Sequence, residues 1–246
     1  MLSKAQIKRI RSLQLKKYRE AEGFFIAEGK KIVEELIDSE ITIEHIYALE
    51  EYIASLSSSV PYTKISKEEL DKVSALTTAQ GVVAVCKIPE GGKTQPDLKK
   101  DLVLALDEIK DPGNMGTIIR IADWFGINHI YCSEECVDTY NPKVIQASMG
   151  SIARVKVQYV NLSDRLSSMG EGIPVYGALL SGKNIYKEKL APNGILVIGN
   201  ESNGVSQAVQ KYITNPVSIP SYNLNGPESL NAAIATAILC AEFRKG

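Results

Sequence analysis

LVLALDEIKDPGNMGTIIRIADWFGI, residues 102–127, is the stretch from which the rest of the chain can be read. Residues 102–106 are a continuous apolar run, the pattern of a strand covered on both faces, and Asp111-Pro112-Gly113 is a turn signal that stops it. A helix is then predicted from Asn114, a favoured N-cap residue. Met115, Ile118, Ile119, Ala122, Trp124 and Phe125 supply its apolar stripe and Gly126 ends it. Arg120 falls within two turns of the predicted helix start, where unpaired N–H groups attract anions.

Outward from this stretch, strands and helices alternate. Strand-like runs recur near 128–132, 154–160, 174–180, 195–199 and 217–219, and helical patterns near 142–149, 162–169, 205–213 and 229–244. Such alternation predicts an α/β fold with a parallel sheet and helices on both faces. Ligands of such sheets bind beyond the carboxyl ends of the strands, so chemistry is expected in the loops that follow them.

The residues before it form a smaller α/β unit. Gly23 to Gly29 reads as a strand, Lys30 to Asp38 as a helix, Ile41 to Leu49 as a strand, Glu50 to Leu56 and Lys67 to Ala75 as helices, and Val82 to Cys86 as a strand. The Pro/Gly/polar stretch after Ile88 marks a linker, giving domains at 1–88 and 102–246 with 89–101 between them. Formal net charge is −1, but residues 1–19 carry seven basic and no acidic side chains, and residues 20–101 carry nine basic against sixteen acidic. A basic arm on an acidic domain suits phosphate contacts, while Ile7, Ile10 and Leu13 at helical spacing equally suit a solvated helix.

Composition narrows the class. At 246 residues and 44% hydrophobic content the chain can bury a substantial core. No apolar run approaches the ~20 residues of a membrane span and no signal-peptide core is present, so a cytoplasmic protein is expected. Cys86, Cys132, Cys136 and Cys240 lack the second pair or histidine cluster that would complete a metal site, and none is expected. His45 and His129 stand alone on apolar stretches and read as structural.

Three loops carry the informative residues. The first is Asp111-Pro-Gly-Asn-Met-Gly. The second, Gly199-Asn200-Glu201-Ser202-Asn203-Gly204, follows a strand; its glycines permit a tight turn and close ligand approach, and Glu201 presents a carboxylate at the sheet edge. The third runs from Ile219-Pro220 to Ser229-Leu230-Asn231 and enters an Ala-rich helix, with Ser229 a plausible N-cap. Taken singly, each could be a capped helix or a solvated βα turn.

Together and in this order, Asn-x-Gly-x-x-x-Arg, Gly-Asn-Glu-x-x-Gly, and Ile-Pro followed by Ser-Leu-Asn resemble the motif series of the SpoU (TrmH) family of RNA ribose 2′-O-methyltransferases. The resemblance covers 102–246 and extends more loosely to 1–88, where Lys17 to Gly29 and Thr78 to Val85 are similar to the family's ribosomal-protein-like substrate-binding domain. It implies a SPOUT-type catalytic domain tied as a trefoil knot, S-adenosylmethionine (AdoMet) as cofactor, and a homodimer that completes the site. Carried over by position, it implies that Asn114, Arg120, Glu201, Ser229 and Asn231 form the catalytic set, and that Gly199, Ile219 and Leu230 contact AdoMet mainly through main-chain groups. Periodicity alone would have excluded a knot.

The chain departs from the family pattern in a longer stretch between Pro220 and Ser229, in Ser221 where Met is usual, and in Gln146 where Arg is frequent. A guanidinium with pKa above ~12 is a poor base, so Arg120 is expected to bind phosphate and polarise the 2′-hydroxyl, with Asn114 and Glu201 orienting it. By family analogy large-subunit rRNA is preferred over tRNA as substrate. A non-catalytic dimeric RNA-binding protein is the main rival reading. A dinucleotide-dependent enzyme ranks below both, because no Gly-x-Gly-x-x-Gly follows a strand.

Overall fold

The computed structural model describes residues 1–54, 59–90, 95–223, 225–226 and 228–245. The predicted helix end at 55–56, residues 91–94 of the predicted linker, and residues 224 and 227 of the third loop lie outside the described residues. In chain order the elements are α1 (Lys4–Ser12), α2 (Lys16–Glu22), β1 (Phe24–Glu28), α3 (Lys30–Ile37), β2 (Ile43–Ala48), α4 (Glu50–Ile53), β3 (Tyr62–Lys64), α5 (Lys67–Val73), β4 (Val82–Lys87), β5 (Leu102–Leu106), α6 (Pro112–Trp124), β6 (His129–Cys132), α7 (Pro142–Ser148), β7 (Lys156–Tyr159), α8 (Leu162–Ser167), β8 (Val175–Asn184), β9 (Gly194–Ile198), α9 (Gln207–Gln210), β10 (Asn215–Ser218) and α10 (Ala232–Phe243). By its contacts the chain divides into two compact units, Met1–Gly91 with Asp138–Ala153 and Gly92–Val137 with Arg154–Gly246.

The first unit holds a four-stranded sheet ordered β1-β4-β2-β3, antiparallel except for the β2–β3 pair. The three-residue edge strand β3 is too short to leave a period-2 signature. Helix α1 has a capping box between Ser3 and Gln6, and it is not an appended arm. Leu2, Ile10 and Leu13 enter one cluster with Ile26, Tyr47, Leu70 and Val83. Docking this apolar stripe brings part of the basic segment against carboxylates. Arg9 bonds Glu22 at 3.0 Å and Glu44 at 2.7 Å, and Lys16 lies 3.6 Å from Glu20. Arg19 is 2% exposed. Its Nη1 donates to the Leu13 carbonyl at 2.8 Å, and its Nε and Nη2 both donate to Asp138 Oδ2, the first at 3.0 Å. Lys4, Lys8 and Arg11 remain exposed.

In the second unit six parallel strands follow the order β10-β8-β9-β5-β6-β7. All five residues of β5 are buried, as the continuous apolar run predicts for a strand covered on both faces. From β5 the chain moves to β6 and β7 on one side, and β8, β9 and β10 occupy the other. The boundary between β5 and β9 is therefore the topological switch point where ligands of such sheets bind. On β8 the pairing with β10 skips forward, from Pro216↔Gly177 to Val217↔Lys183. There Gly182 lies so close to the Val217 main chain that a Cβ would overlap it. No helix among the described residues is long and apolar enough to cross a membrane.

Two predicted caps are corrected. Helix α6 begins at Pro112, not Asn114: Asp111 is the N-cap, accepting from Asn114 N–H at 2.8 Å, with Pro112 at the first helical position. Helix α10 is capped by Asn231, not Ser229; its Oδ1 accepts from Ala233 N–H at 3.0 Å and Ile234 N–H at 3.3 Å. Trp124, predicted to be inward, is 84% exposed. Two residues past buried Ala122 is about 200° of helical rotation, which turns its side chain off the buried face.

Breaking the Arg19–Asp138 pair tests the packing of the first unit. Asp138→Ala leaves a buried guanidinium uncompensated and is expected to cost about 3–5 kcal/mol in chemical unfolding. A loss under ~1 kcal/mol would show the pair to be dispensable.

Candidate active site

The parallel pairing of Leu106 with Ile198 releases the chain from β5 and β9 side by side at one edge of the sheet. The loop after β5 leads to Asn114, and the loop after β9 carries Glu201. Because α6 is capped by Asp111, the Asn114 side chain does not cap its own helix. Its Nδ2 instead donates a hydrogen bond to Glu201 Oε1. Its Oδ1 accepts from Asn231 Nδ2 at 2.8 Å.

Main-chain groups fix the direction of this relay. Asn231 Oδ1 already accepts the two N–H groups at the start of α10, so its Nδ2 must face Asn114. Asn114 must then accept on its oxygen and donate from its nitrogen. Glu201 is held as an acceptor at the end of a chain that begins in the α10 main chain. Three of the five residues assigned to the catalytic set by resemblance therefore meet in one hydrogen-bonded network.

Arg120 does not join them. With α6 starting at Pro112, it lies about 12 Å along the axis from the first residue, outside the first turn to which the helix-terminus field is confined. Six residues beyond Asn114 is about 600° of rotation, so the two side chains leave the helix roughly 120° apart. Arg120 is exposed, and among the described residues it has no ion-pair or hydrogen-bond partner. The expectation that Asn114 and Glu201 orient its guanidinium is not met within one chain, since Asn114's amide is directed at Glu201 and Asn231. Thr117 and Trp124 are exposed on the same side of α6, and Ile234, 55% exposed, on α10, which packs against α6.

Ser229 is exposed at the approach to α10 and caps nothing. Leu230 beside it is 43% exposed. Ile219 is half-buried immediately after β10, and Gly199 immediately after β9. A Cβ on Gly199 would overlap the Gly204 carbonyl and the Val205 nitrogen, so no side chain fits and the strand end offers only main-chain groups. A ligand held mainly through backbone contacts fits that construction.

Sequence reasoning passed over two residues that hold these loops. Asp107, 3% exposed, accepts from Ser206 N–H at 2.7 Å, and Asn200 donates to the Glu108 carbonyl at 2.9 Å. The available signal was an aspartate directly after a fully apolar strand, where a buried charge requires a partner. Gln146, at a position where the family frequently has Arg, donates to the Glu28 carbonyl at 2.6 Å. The four cysteines are buried and free; burial pushes the Cys240 thiol up to about 12, whereas hydrogen bonds, first from Cys132, hold Cys136 below its ordinary value. His45 Nε2 lies 2.8 Å from Thr63 Oγ1, and burial lowers the pKa of both histidines. Among the described residues no cluster of His, Cys, Asp and Glu could hold a metal ion.

Comparison with known proteins gives two family matches. A model of the SpoU rRNA Methylase family matches residues 101–241, and one of the MRM3-like substrate binding domain matches residues 4–84. The chain is 30% identical over 243 residues to the 23S rRNA (guanosine(2553)-2'-O)-methyltransferase RlmP of Bacillus subtilis, covering 97% of this chain and 96% of that one. It is 32% identical over 152 residues to the mitochondrial rRNA methyltransferase 3 of Xenopus laevis, covering 58% of this chain and 36% of that protein. Among solved structures, a TrmH-family protein from Porphyromonas gingivalis superposes with a TM-score of 0.89 at 39% identity, covering 99% and 98% of the two chains. An AdoMet-bound rRNA methyltransferase from Sinorhizobium meliloti gives 0.85 at 26% identity, covering 99% and 96%.

The tight crossing at Gly199 yields a direct test. Gly199→Ala is expected to lower stability by about 1–3 kcal/mol in denaturant unfolding, because the overlap is with main chain that cannot rotate away. A variant as stable as the wild type would mean that the turn has room the structure does not show.

Proposed function

The chain belongs to the SpoU rRNA methylase family, and from that premise we propose that it methylates a ribose 2′-hydroxyl in large-subunit rRNA, in the cytoplasm, with AdoMet as methyl donor. The observation that carries this reading is the Asn231–Asn114–Glu201 relay at the switch point of the parallel sheet. The RNA class is supported by the Bacillus subtilis relative, which is named for 23S rRNA and aligns over nearly all of both chains.

The residues present fit the cofactor. Gly199 presents bare main chain, and Ile219 and Leu230 follow a strand end and precede a helix that meets Asn114 through Asn231. In this reading those three residues hold AdoMet within a knotted C-terminal domain. Bound there, AdoMet supplies an electrophilic methyl group on its sulfonium. Asn114, Glu201, Ser229 and Asn231 position the nucleotide, since an in-line attack draws much of its rate from alignment. Arg120 binds the phosphate next to the target ribose and stabilises charge developing on the 2′-oxygen, whose proton is released to solvent as the methyl group is transferred. On the first unit the exposed Lys4, Lys8 and Arg11 supply phosphate contacts.

Arg120 and Asn114 diverge on α6, so the reading includes a homodimer in which each protomer's Arg120 serves its partner's site. The exposed Trp124 and Ile234, on the packed helices α6 and α10, provide apolar surface for that association.

Transfer of labelled methyl from AdoMet to unmodified rRNA and, separately, unmodified tRNA tests the activity. Label is expected in rRNA alone. Arg120→Ala is expected to abolish it while leaving AdoMet affinity by calorimetry nearly intact, and Arg120→Lys to rescue little, because an ammonium lacks the bidentate fork. Label in tRNA, or loss of AdoMet binding in a folded Arg120→Ala variant, would refute these assignments. The shared site is tested by mixing inactive Arg120→Ala with Glu201→Gln, whose activity is expected to be strongly reduced but measurable, under subunit exchange. Mixed dimers are expected to regain activity, since one site then draws an intact residue from each protomer; no recovery would place Arg120 and Glu201 in the same protomer's site.

A further inference from the structure

Asn200 precedes Glu201 in the turn after β9. Its side-chain amide contacts both loops of the site. Oδ1 accepts from the N–H groups of Ser202 at 2.9 Å and Asn203 at 3.2 Å, which folds the turn around Glu201. Nδ2 donates to the Glu108 carbonyl at 2.9 Å, on the loop that leads to Asn114. Its main-chain N–H and C=O close the turn against Gly204 at 3.0 and 2.9 Å.

The carbonyl it holds belongs to an unusual residue. Glu108 has a φ of 57°, a left-handed conformation that residues with a Cβ seldom adopt and that persists only where neighbours hold it. Those neighbours are Ser133, whose Oγ accepts from Glu108 N–H at 3.1 Å, Cys136, whose Sγ accepts from Ile109 N–H at 3.2 Å, and Asn200 from the other loop. A second tie runs from buried Asp107 to Ser206 N–H at 2.7 Å. That tie fixes the base of each loop, whereas Asn200 acts on the turn that carries Glu201.

We propose that Asn200 is a positioning residue: by gripping the Glu108 carbonyl and two turn amides at once, it sets the Glu201 carboxylate against Asn114. This rests on the methyl-transfer reading above for its effect on rate, though not for its effect on geometry. The role requires a side chain that donates in one direction and accepts in the other. Aspartate keeps the acceptor for the turn amides but turns a carboxylate oxygen toward the Glu108 carbonyl, losing the link between the loops; alanine loses both.

The full-length Asn200→Ala and Asn200→Asp variants, alone and combined with Glu201→Gln, are assayed by single-turnover methyl transfer and steady-state kinetics, with AdoMet affinity and melting temperature measured in parallel. Each single variant is expected to lose about 100-fold in kcat, the order of effect of an ångström-scale misplacement. KM for RNA and Kd for AdoMet should stay within about threefold, as for an interaction that matters in the transition state alone. In the Glu201→Gln background the same changes are expected to cost under about threefold, because a residue acting through Glu201 has nothing left to position. Equal losses in both backgrounds, or losses that follow melting temperature and AdoMet affinity, overturn the proposal. A crystal structure of Asn200→Asp supplies a readout independent of turnover: Glu201 is expected to have left Asn114. Glu201 still bonded to Asn114 overturns the proposal, whereas this displacement in Asn200→Asp alongside a wild type that transfers no methyl group refutes only the activity reading.

Discussion

The pairing of β5 with β9 is the constraint from which the rest of the site follows. Parallel strands release their chains at the same edge, and the register of Leu106 with Ile198 sets the two outgoing loops side by side. An amide on one loop can then meet a carboxylate on the other. Because the strand order reverses at this pair, no crossover helix covers the gap between the loops. Asn114 and Glu201 are 87 residues apart in sequence, and this pairing is what makes them neighbours.

Economy of hydrogen bonds gives the site its rigidity. The start of α10 fixes Asn231, Asn231 fixes Asn114, and Asn114 fixes Glu201. Flipping any member would break its hydrogen bond to the next. Arg120 stands outside this economy. A cation with no partner among the described residues, on a helix that also exposes a tryptophan, is suited to charge and apolar surface supplied from outside the chain. The proposed dimer and the RNA phosphate would supply them.

In the first unit the seven cations of residues 1–19 are not equivalent. Apolar packing of α1 against the small sheet draws Arg9 onto Glu22 and Glu44, and the fold buries Arg19 against Asp138. Net charge therefore overstates the field that α1 and α2 offer to nucleic acid. Lys4, Lys8, Arg11 and Lys17, exposed and outside these ion pairs, are left for it, with Lys16 only loosely held by Glu20.

What the sequence determined by itself was the α/β class, the buried central strand, the order of its parallel partners' signals, and the loops that carry Asn114, Glu201 and Asn231. Hydrophobic runs, glycine turns and the spacing of three motifs are local properties, and a chain reports them directly. Cap assignment failed where two candidates stood within three residues: Asp111 outcompeted Asn114 because Pro112 fits the first helical position, and Asn231 outcompeted Ser229. The exposure of Trp124, the burial of Arg19, and the roles of Asp107 and Asn200 were decided by tertiary structure alone. Each depends on a partner from 92 to 119 positions away or on a neighbouring surface, and sequence spacing carries no information about which distant group a folded loop will present.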